Sequence, residues 1–402
     1  MPSSRGHGEA SPAYAEHGAG SAGGHGAGAL HRLHERPLPA ALARRQGQAP
    51  IRLFEDQPKE ILTRHDFGAA GIHYTVNPYR GCTIGCVYCS ARPTHEYLGD
   101  GGQRWNAGSD FDSRIVARPD AARLLDETLS RNHGKRTHGR VIHFSGATDP
   151  YQPLEGTLGL TRACLEVCLH HHNPVAVQTK SGLILRDRDL LLALHRGPGV
   201  HVAISLASLD EARAAALEPG APSPRERLEL IGKLAASGIP VGVSIAPAIL
   251  GLTDTDIVRI LTIAKDAGAS TAFYLRLRLP GVIEPALVRR VKASLPDRAR
   301  KVVAGLDGYG AAAPGRRAMA DDPMEQIFSF TAERLGLATQ RGAPWPATVV
   351  KLEERARARE EAEAALAPQP ASGKLELPLG APIEEPVARK EPHERDEQLR
   401  LF

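Results

Sequence analysis

Six short β-rich runs recur between residues 73 and 277, and a longer helix-patterned stretch follows each one. They are HYTVNPY (73–79), VIHFSGA (141–147), VAVQTK (175–180), HVAISLAS (201–208), VGVSIAPAI (241–249) and TAFYLRL (271–277). Such alternation predicts parallel βαβ units joined by right-handed crossovers. Six units fall short of a full eight-unit barrel. The expectation is therefore a partial, open (βα)6 TIM-like barrel, with a doubly wound sheet as the alternative. Either fold puts ligands at the carboxyl ends of its strands. Polar residues gather at those ends: Asn77, Thr148, Asp149, Thr179, Lys180, Ser205 and Ser208.

The helices carry readable ends. Ser223 precedes Pro224 and stands three residues before Glu226, which reads as an N-cap, a proline at N1 and a capping-box partner. Gly238 closes that helix. Thr253 and Asp256 are expected to open the next in a related way, and Gly268 to close it.

Outside this core the character changes. Residues 1–50 carry scattered histidines and the Gly/Ala-rich run GAGSAGGHGAGAL (18–30), which cannot bury enough surface to offset its ordering entropy. They read as a disordered tail; a loose metal-chelating segment is the other reading. A lead-in segment (51–67), the core barrel (68–312) and a helical extension of it (313–345) follow. Residues 346–402 hold the charged helical run KLEERARAREEAEAALAP and a flexible tail. No apolar run reaches the roughly 20 residues of a membrane span, and Met1 to Leu30 lack the apolar segment of a signal peptide. The net charge of +4 is too small to argue for a nucleic-acid partner. Five cysteines are too few, and odd in number, for a secreted disulfide framework, which points to a reducing cytoplasm.

Three of those five stand together in NPYRGCTIGCVYCSAR (77–92) as Cys82, Cys86 and Cys89. They follow the first predicted strand, on a loop at the ligand end. Soft thiolates select zinc or an iron–sulfur cluster. Zinc wants four ligands, and His73 or His95 is the candidate fourth, in a non-catalytic binding module. A four-iron cluster on three thiolates would keep one iron open to a small molecule.

The spacing C-x3-C-x-Φ-C, with Tyr88 as the aromatic Φ, resembles the signature of radical S-adenosylmethionine (radical SAM) enzymes. NPYRGC, YCSARPTHEYLG, SGATDPYQPLE, QTKSGLILRDRDLL and APAILGLTD resemble the branch grouped with spore photoproduct lyase, over roughly residues 65–340. The resemblance implies a radical SAM barrel and a 4Fe-4S cluster held by Cys82, Cys86 and Cys89. It implies S-adenosylmethionine bound at the open iron and cleaved by one electron to a 5′-deoxyadenosyl radical. That radical would abstract hydrogen from an unidentified substrate. An external one-electron donor, flavodoxin- or ferredoxin-like, is implied as well.

The family's cofactor contacts carry over to Tyr88, to Gly146, Thr148 and Asp149 for the amino group, to Lys180 for the carboxylate, and to Ser205 for the ribose. The family's Gly-Gly-Glu is here Ser145-Gly146-Ala147-Thr148-Asp149-Pro150. Spore photoproduct lyases use a cysteine near the end of the second strand as hydrogen donor, and residues 141–160 contain none. The branch and the arginines Arg80, Arg92 and Arg104 point to a nucleic-acid substrate; ordinary surface pairing would also account for the arginines.

Cys164 and Cys168 share one helix face, as buried apolar side chains or as a redox pair. His170, His171 and His172 end that helix, serving its dipole or a metal. The final residues, Gln398-Leu399-Arg400-Leu401-Phe402, resemble the pentapeptide by which bacterial replication and repair proteins dock on the sliding clamp. Gln398, Leu399, Leu401 and Phe402 would make the contacts.

Overall fold

The computed structural model describes residues 33–38, 50–67, 72–100, 102–131, 139–277, 279, 283–306 and 322–339. The histidine-bearing stretch 1–32, the charged run after residue 345 and the Gln398–Phe402 peptide lie outside the described residues, as does the side chain of His73.

In chain order the elements begin with β1 (His34–Arg36), β2 (Arg52–Glu55), β3 (Leu62–Phe67), β4 (Ile72–Val76) and β5 (Tyr79–Arg80). Next come β6 (Gly99–Asp100), β7 (Gln103–Arg104), β8 (Arg114–Ala117), α1 (Ala121–Arg131), β9 (Ile142–Phe144), α2 (Glu155–Leu158) and α3 (Leu160–His170). Then follow β10 (Val175–Thr179), α4 (Arg188–Arg196), β11 (Val200–Ser205), α5 (Glu211–Leu217), α6 (Pro224–Ala236) and β12 (Val241–Ala248). The last are α7 (Ile257–Asp266), β13 (Thr271–Arg276), α8 (Glu284–Ser294), α9 (Pro296–Leu306), α10 (Pro323–Arg334) and β14 (Ala338–Thr339).

One sheet runs in the order β3-β4-β9-β10-β11-β12-β13-β14. From β4 onward every pair is parallel, and only β3 runs antiparallel. The six sequence-predicted strands are β4 and β9 to β13, laid side by side in chain order. A doubly wound sheet reverses its strand order at a switch point; this order never reverses. The partial barrel stands, and it is open, with β3 and β14 as its edges.

Strand alternation sorts the side chains. Phe144, Val177, Val202 and Val243 face the helices and share a buried cluster with Leu125, Leu165, Leu191 and Leu261. The opposite face carries the smaller cluster of Val141, Ala176 and Ala203. Buried polar side chains are interspersed along the strands: His143, His201, Ser205, Ser244 and Thr271.

The predicted start of α6 is present in full. Ser223 Oγ accepts from Glu226 N at 3.2 Å and Glu226 Oε2 accepts from Ser223 N at 2.7 Å, with Pro224 in the first turn. Gly238 follows at φ +78°. The start of α7 differs from expectation. Thr253 Oγ1 accepts from Ile249 N at 2.7 Å, and the Asp256 carboxylate accepts from Ser208 Oγ and Leu209 N. Both side chains are drawn away from the helix end by buried partners, and a short 3-10 turn, Asp254–Asp256, leads into the helix instead.

A second sheet, β1-β2-β8-β5, has no counterpart in the sequence reading. Its strands are two to four residues long, too short for period-2 alternation to register. It matters because β5 leads directly into Gly81 and Cys82. Tyr79 on β5 is fully buried, and its hydroxyl donates to Glu155 Oε2 at 2.6 Å.

Candidate functional site

The cysteine loop begins with a backbone constraint. Gly81 sits at φ +77°, and a Cβ there would meet Arg114 O, Phe111 O and His95 Cε1, each at 2.9 Å. Only glycine fits that approach. Cys82 N then donates to Phe111 O at 3.0 Å, and Gly85 turns the chain at φ +70°. The loop is tied across the barrel mouth to the segment after α5: Val87 N donates to Leu217 O at 2.9 Å, and Gly220 N to Ile84 O at 2.8 Å. Arg92, itself buried, donates from Nε to Cys86 O at 2.9 Å and grips Asp112 with two bonds of 2.6 and 2.9 Å. The three thiols sit among Ile84, Val87, Phe111, Leu217 and Ile249. Burial lifts the Cys82 thiol to about 12 and raises Cys86 and Cys89 above the ordinary thiol range. Such thiols stay protonated until a metal displaces the proton.

The loop after β9 supports the cysteines from beside. Thr148 Oγ1 donates to Gly81 O at 2.9 Å and accepts from Gln152 Nε2 at 3.0 Å. Gln152 Oε1 accepts from Thr83 N at 3.1 Å. Asp149 bridges two strand ends: Oδ1 accepts from Tyr151 N and Thr179 Oγ1 at 2.9 and 2.6 Å, and Oδ2 from Lys180 N at 2.8 Å. Gly146 is exposed at φ +103° with nothing within 4 Å of where a Cβ would stand.

Across the mouth lies a buried polar cluster that sequence reasoning missed in its main parts. The Tyr88 hydroxyl donates to Glu218 Oε1. Arg227 Nη1 lies 2.7 Å from Glu218 Oε2 and donates to Ser205 O at 2.9 Å. Lys180 Nζ stands 3.8 Å from Glu218 Oε1. Burial alone would raise the Glu218 carboxyl, but the Arg227 and Lys180 charges hold it below the ordinary carboxylate range. Burial works against the Lys180 ammonium, but its neighbours Cys86 and Glu218 hold it above the ordinary lysine range. Ser205 is buried; its hydroxyl donates to Ala246 O at 3.5 Å while its carbonyl holds Arg227. The structure thus brings Tyr88, Lys180 and Ser205 together around Glu218, with Thr148 and Asp149 on the flank of the Cys82 turn.

The donor set tests which metal group fits. Among the described residues, Asp126, His170 and His171 are the one group whose three ligand atoms all lie within 4.8 Å of one another. Structural zinc takes four closed protein ligands. His95 does not complete such a site for the three cysteines. Its Nε2 donates to Arg114 O at 2.8 Å, and its ring packs against Trp105 and Phe111. Three cysteines on one loop, with His95 engaged elsewhere, suit a multi-iron cluster with one open iron.

The other cysteines and arginines fall elsewhere. Cys164 and Cys168 are fully buried in the main core, and burial raises both thiols. Arg92 is the internal brace just described, not a surface contact for phosphate. Arg80 donates to Thr94 O at 3.4 Å, and Arg104 is exposed on β7. No helix among the described residues is long and apolar enough to cross a membrane.

An open parallel barrel bearing a three-cysteine loop after its first parallel strand defines a cofactor-dependent α/β class. Residues 76–264 match the family model described as Radical SAM superfamily, and the chain carries a domain of that superfamily. An uncharacterised protein of Mycobacterium tuberculosis (strain ATCC 25618 / H37Rv) is 36% identical over 214 residues, covering 52% of this chain and 61% of that protein. An uncharacterised protein of Methanocaldococcus jannaschii is 28% identical over 188 residues, covering 47% of this chain and 65% of the relative. The chain thus matches less than two thirds of either relative's length. Among solved structures, a cysteine-to-serine mutant of spore photoproduct lyase superposes with a TM-score of 0.50 at 15% identity, covering 72% of this chain and 81% of that one. At that identity the likeness is one of fold.

Proposed function

We propose that the protein is a radical SAM enzyme in which Cys82, Cys86 and Cys89 hold a 4Fe-4S cluster and the fourth iron takes S-adenosylmethionine. The observation that carries this reading is the three-cysteine loop at the barrel mouth, which His95 does not complete as a zinc site and which a half-buried cation, Lys180, borders. When bound, the pair supplies one-electron cleavage of a sulfonium C–S bond and hence a hydrogen-abstracting carbon radical. The chain's part is to bind, orient and exclude water. Lys180 offers its ammonium to the cofactor's carboxylate, with Glu218 holding it in place. Asp149 Oδ2 accepts one protein bond, from Lys180 N, and keeps a lone pair for the cofactor's ammonium. Gly146 leaves its backbone open to close approach, Thr148 keeps the Gly81 turn in register, and Ser205 borders the ribose. The aromatic face of Tyr88 is fixed through its hydroxyl. The electron comes from an external flavodoxin- or ferredoxin-like donor, in the reducing cytoplasm that five free thiols suit.

The test is anaerobic reconstitution with iron and sulfide, followed by reduction in the presence of S-adenosylmethionine. Wild type should release 5′-deoxyadenosine and Cys86→Ala should not. Equal release from both would exclude the assignment.

The substrate we propose is DNA-linked. The support is the QLRLF motif, in which Gln398, Leu399, Leu401 and Phe402 fit a clamp-docking pattern, and the exposed Arg104 on β7. Binding to a bacterial sliding clamp with and without residues 398–402 tests it; equal binding, or none by either form, would remove the argument.

A further inference from the structure

Asp126 lies on α1, and His170 and His171 end α3. His171 Nε2 stands 2.8 Å from Asp126 Oδ1, and the His170 ring meets the His171 ring edge-on at 5.0 Å. One ligand atom from each of the three lies within 4.8 Å of the others. The His171 side chain is only 9% exposed, whereas Asp126 is half exposed. The group is thus rooted in the α1–α3 contact and open to solvent on one side.

Three physical features favour a cation here. The carboxylate brings a full negative charge. The C-terminus of α3 adds its partial negative charge, since His170 ends the helix and His171 is its C-cap. Two imidazole nitrogens add lone pairs of borderline softness, and with a carboxylate oxygen they form a donor set suited to zinc-class ions. A tetrahedral site with ligand distances of about 2.0–2.2 Å needs donors about 3.3–3.6 Å apart. Rotation of the exposed His170 side chain would bring its nitrogen in, while the His171 Nε2–Asp126 Oδ1 pair, 2.8 Å apart, would open slightly around the ion. A His171–Asp126 hydrogen bond accounts for two of the three residues; the third, His170, is the chain neighbour of His171 and packs its ring edge-on against it, within reach of the same point.

Each helix in a parallel βα unit runs back from the ligand end of the sheet. The C-terminus of α3 therefore lies at the opposite end of the barrel from the cysteine loop. We propose that Asp126, His170 and His171 bind one divalent transition-metal ion of the zinc class, with solvent in the fourth position, and that the ion staples α1 to α3.

The probe is zinc alone, titrated into the full-length protein in competition with a chromophoric chelator. Wild type is compared with His170→Ala and with the double variant Asp126→Asn/His170→Ala. The cysteines and the histidines near the N-terminus are the same in all three proteins, so the difference isolates this site whatever the cysteines hold. The double variant should bind one fewer tight zinc equivalent, and His170→Ala should weaken that equivalent at least tenfold. Zinc should raise the thermal midpoint of wild type and not of the double variant. His170 is exposed, and its removal costs only an edge-on contact with the His171 ring, so the single variant remains informative if the double variant is unstable. Equal stoichiometry with equal midpoint shifts, or no tight zinc on wild type, would overturn the proposal.

Discussion

Arg227 and Glu218 form an ion pair 2.7 Å long in which the two side chains are 1% and 3% exposed. The pair joins the first turns of α6 to the segment that follows α5 and hydrogen-bonds the cysteine loop. Tyr88 and Lys180 meet the same carboxylate. Removing one partner strands a buried charge, which typically costs about 3–5 kcal/mol. Arg227→Met should therefore lower the stability of the metal-free protein by about that amount, by urea unfolding. The double variant Arg227→Met/Glu218→Leu should recover only part of the loss, because it removes the buried carboxylate but takes a partner from Lys180 and Tyr88. A single-variant loss below about 1 kcal/mol would mean that water reaches the pair and compensates it.

Gly81 is held at φ +77° against two carbonyls and the His95 ring. Gly81→Ala adds left-handed strain of about 1–2 kcal/mol and three contacts that real Cβ atoms do not make. Backbone carbonyls cannot give way easily, so the strain should move Cys82. The expected result is a destabilised protein that loads markedly less iron and sulfide than wild type. Wild-type iron content with unchanged stability would show that the turn is not what sets Cys82.

Cys164 and Cys168 face the core from α3 and are fully buried. As packing residues they should be dispensable for metal loading. Cys164→Ala/Cys168→Ala should keep the iron and sulfide content of wild type while losing about 1–2 kcal/mol of stability, the scale for trimming small buried groups. A fall in iron content would reassign the two as part of a metal or redox centre.

The sequence made the barrel legible because each strand is a run of apolar residues set off from an amphipathic helix, and because Ser223, Pro224 and Glu226 mark a helix start by chemistry that is local. The cysteine triplet was legible for the same reason: three thiols within eight residues need no tertiary information to be seen together. Glu218 and Arg227 were not. In EARAAALEPGAPSPRERLEL they look like a solvated helical face, and only the fold buries them together. Thr253 failed as a cap because Ile249 N, a partner four residues back, claims its hydroxyl. Arg92 looked like a basic surface residue until Asp112, twenty residues on, turned it inward. The small β1-β2-β8-β5 sheet escaped because two-to-four-residue strands carry too few positions for a period.

His201, on β11, is buried and close to Thr271, with Nε2 and Oγ1 2.7 Å apart. Burial, with a smaller contribution from His143, lowers its imidazole to about 3, against an ordinary value of 6.5. The folded state therefore refuses a proton that the unfolded state accepts between those two values. For a group with a depressed folded value, its stability is present in full above the unfolded value and is lost as pH falls toward the folded one. The window runs from about pH 6.5 down to about pH 3, at about 1.4 kcal/mol per pH unit once inside it. From pH 7 to pH 5 this one residue should account for about 2 kcal/mol of acid destabilisation. His201→Gln keeps a polar side chain without a titrating proton, so it should lose about 2 kcal/mol less than wild type over that interval, by urea unfolding at the two pH values. The comparison cancels His95, which burial lowers to about 4 in both proteins. Parallel losses in the variant and wild type would mean that His201 opens to water before the protein unfolds.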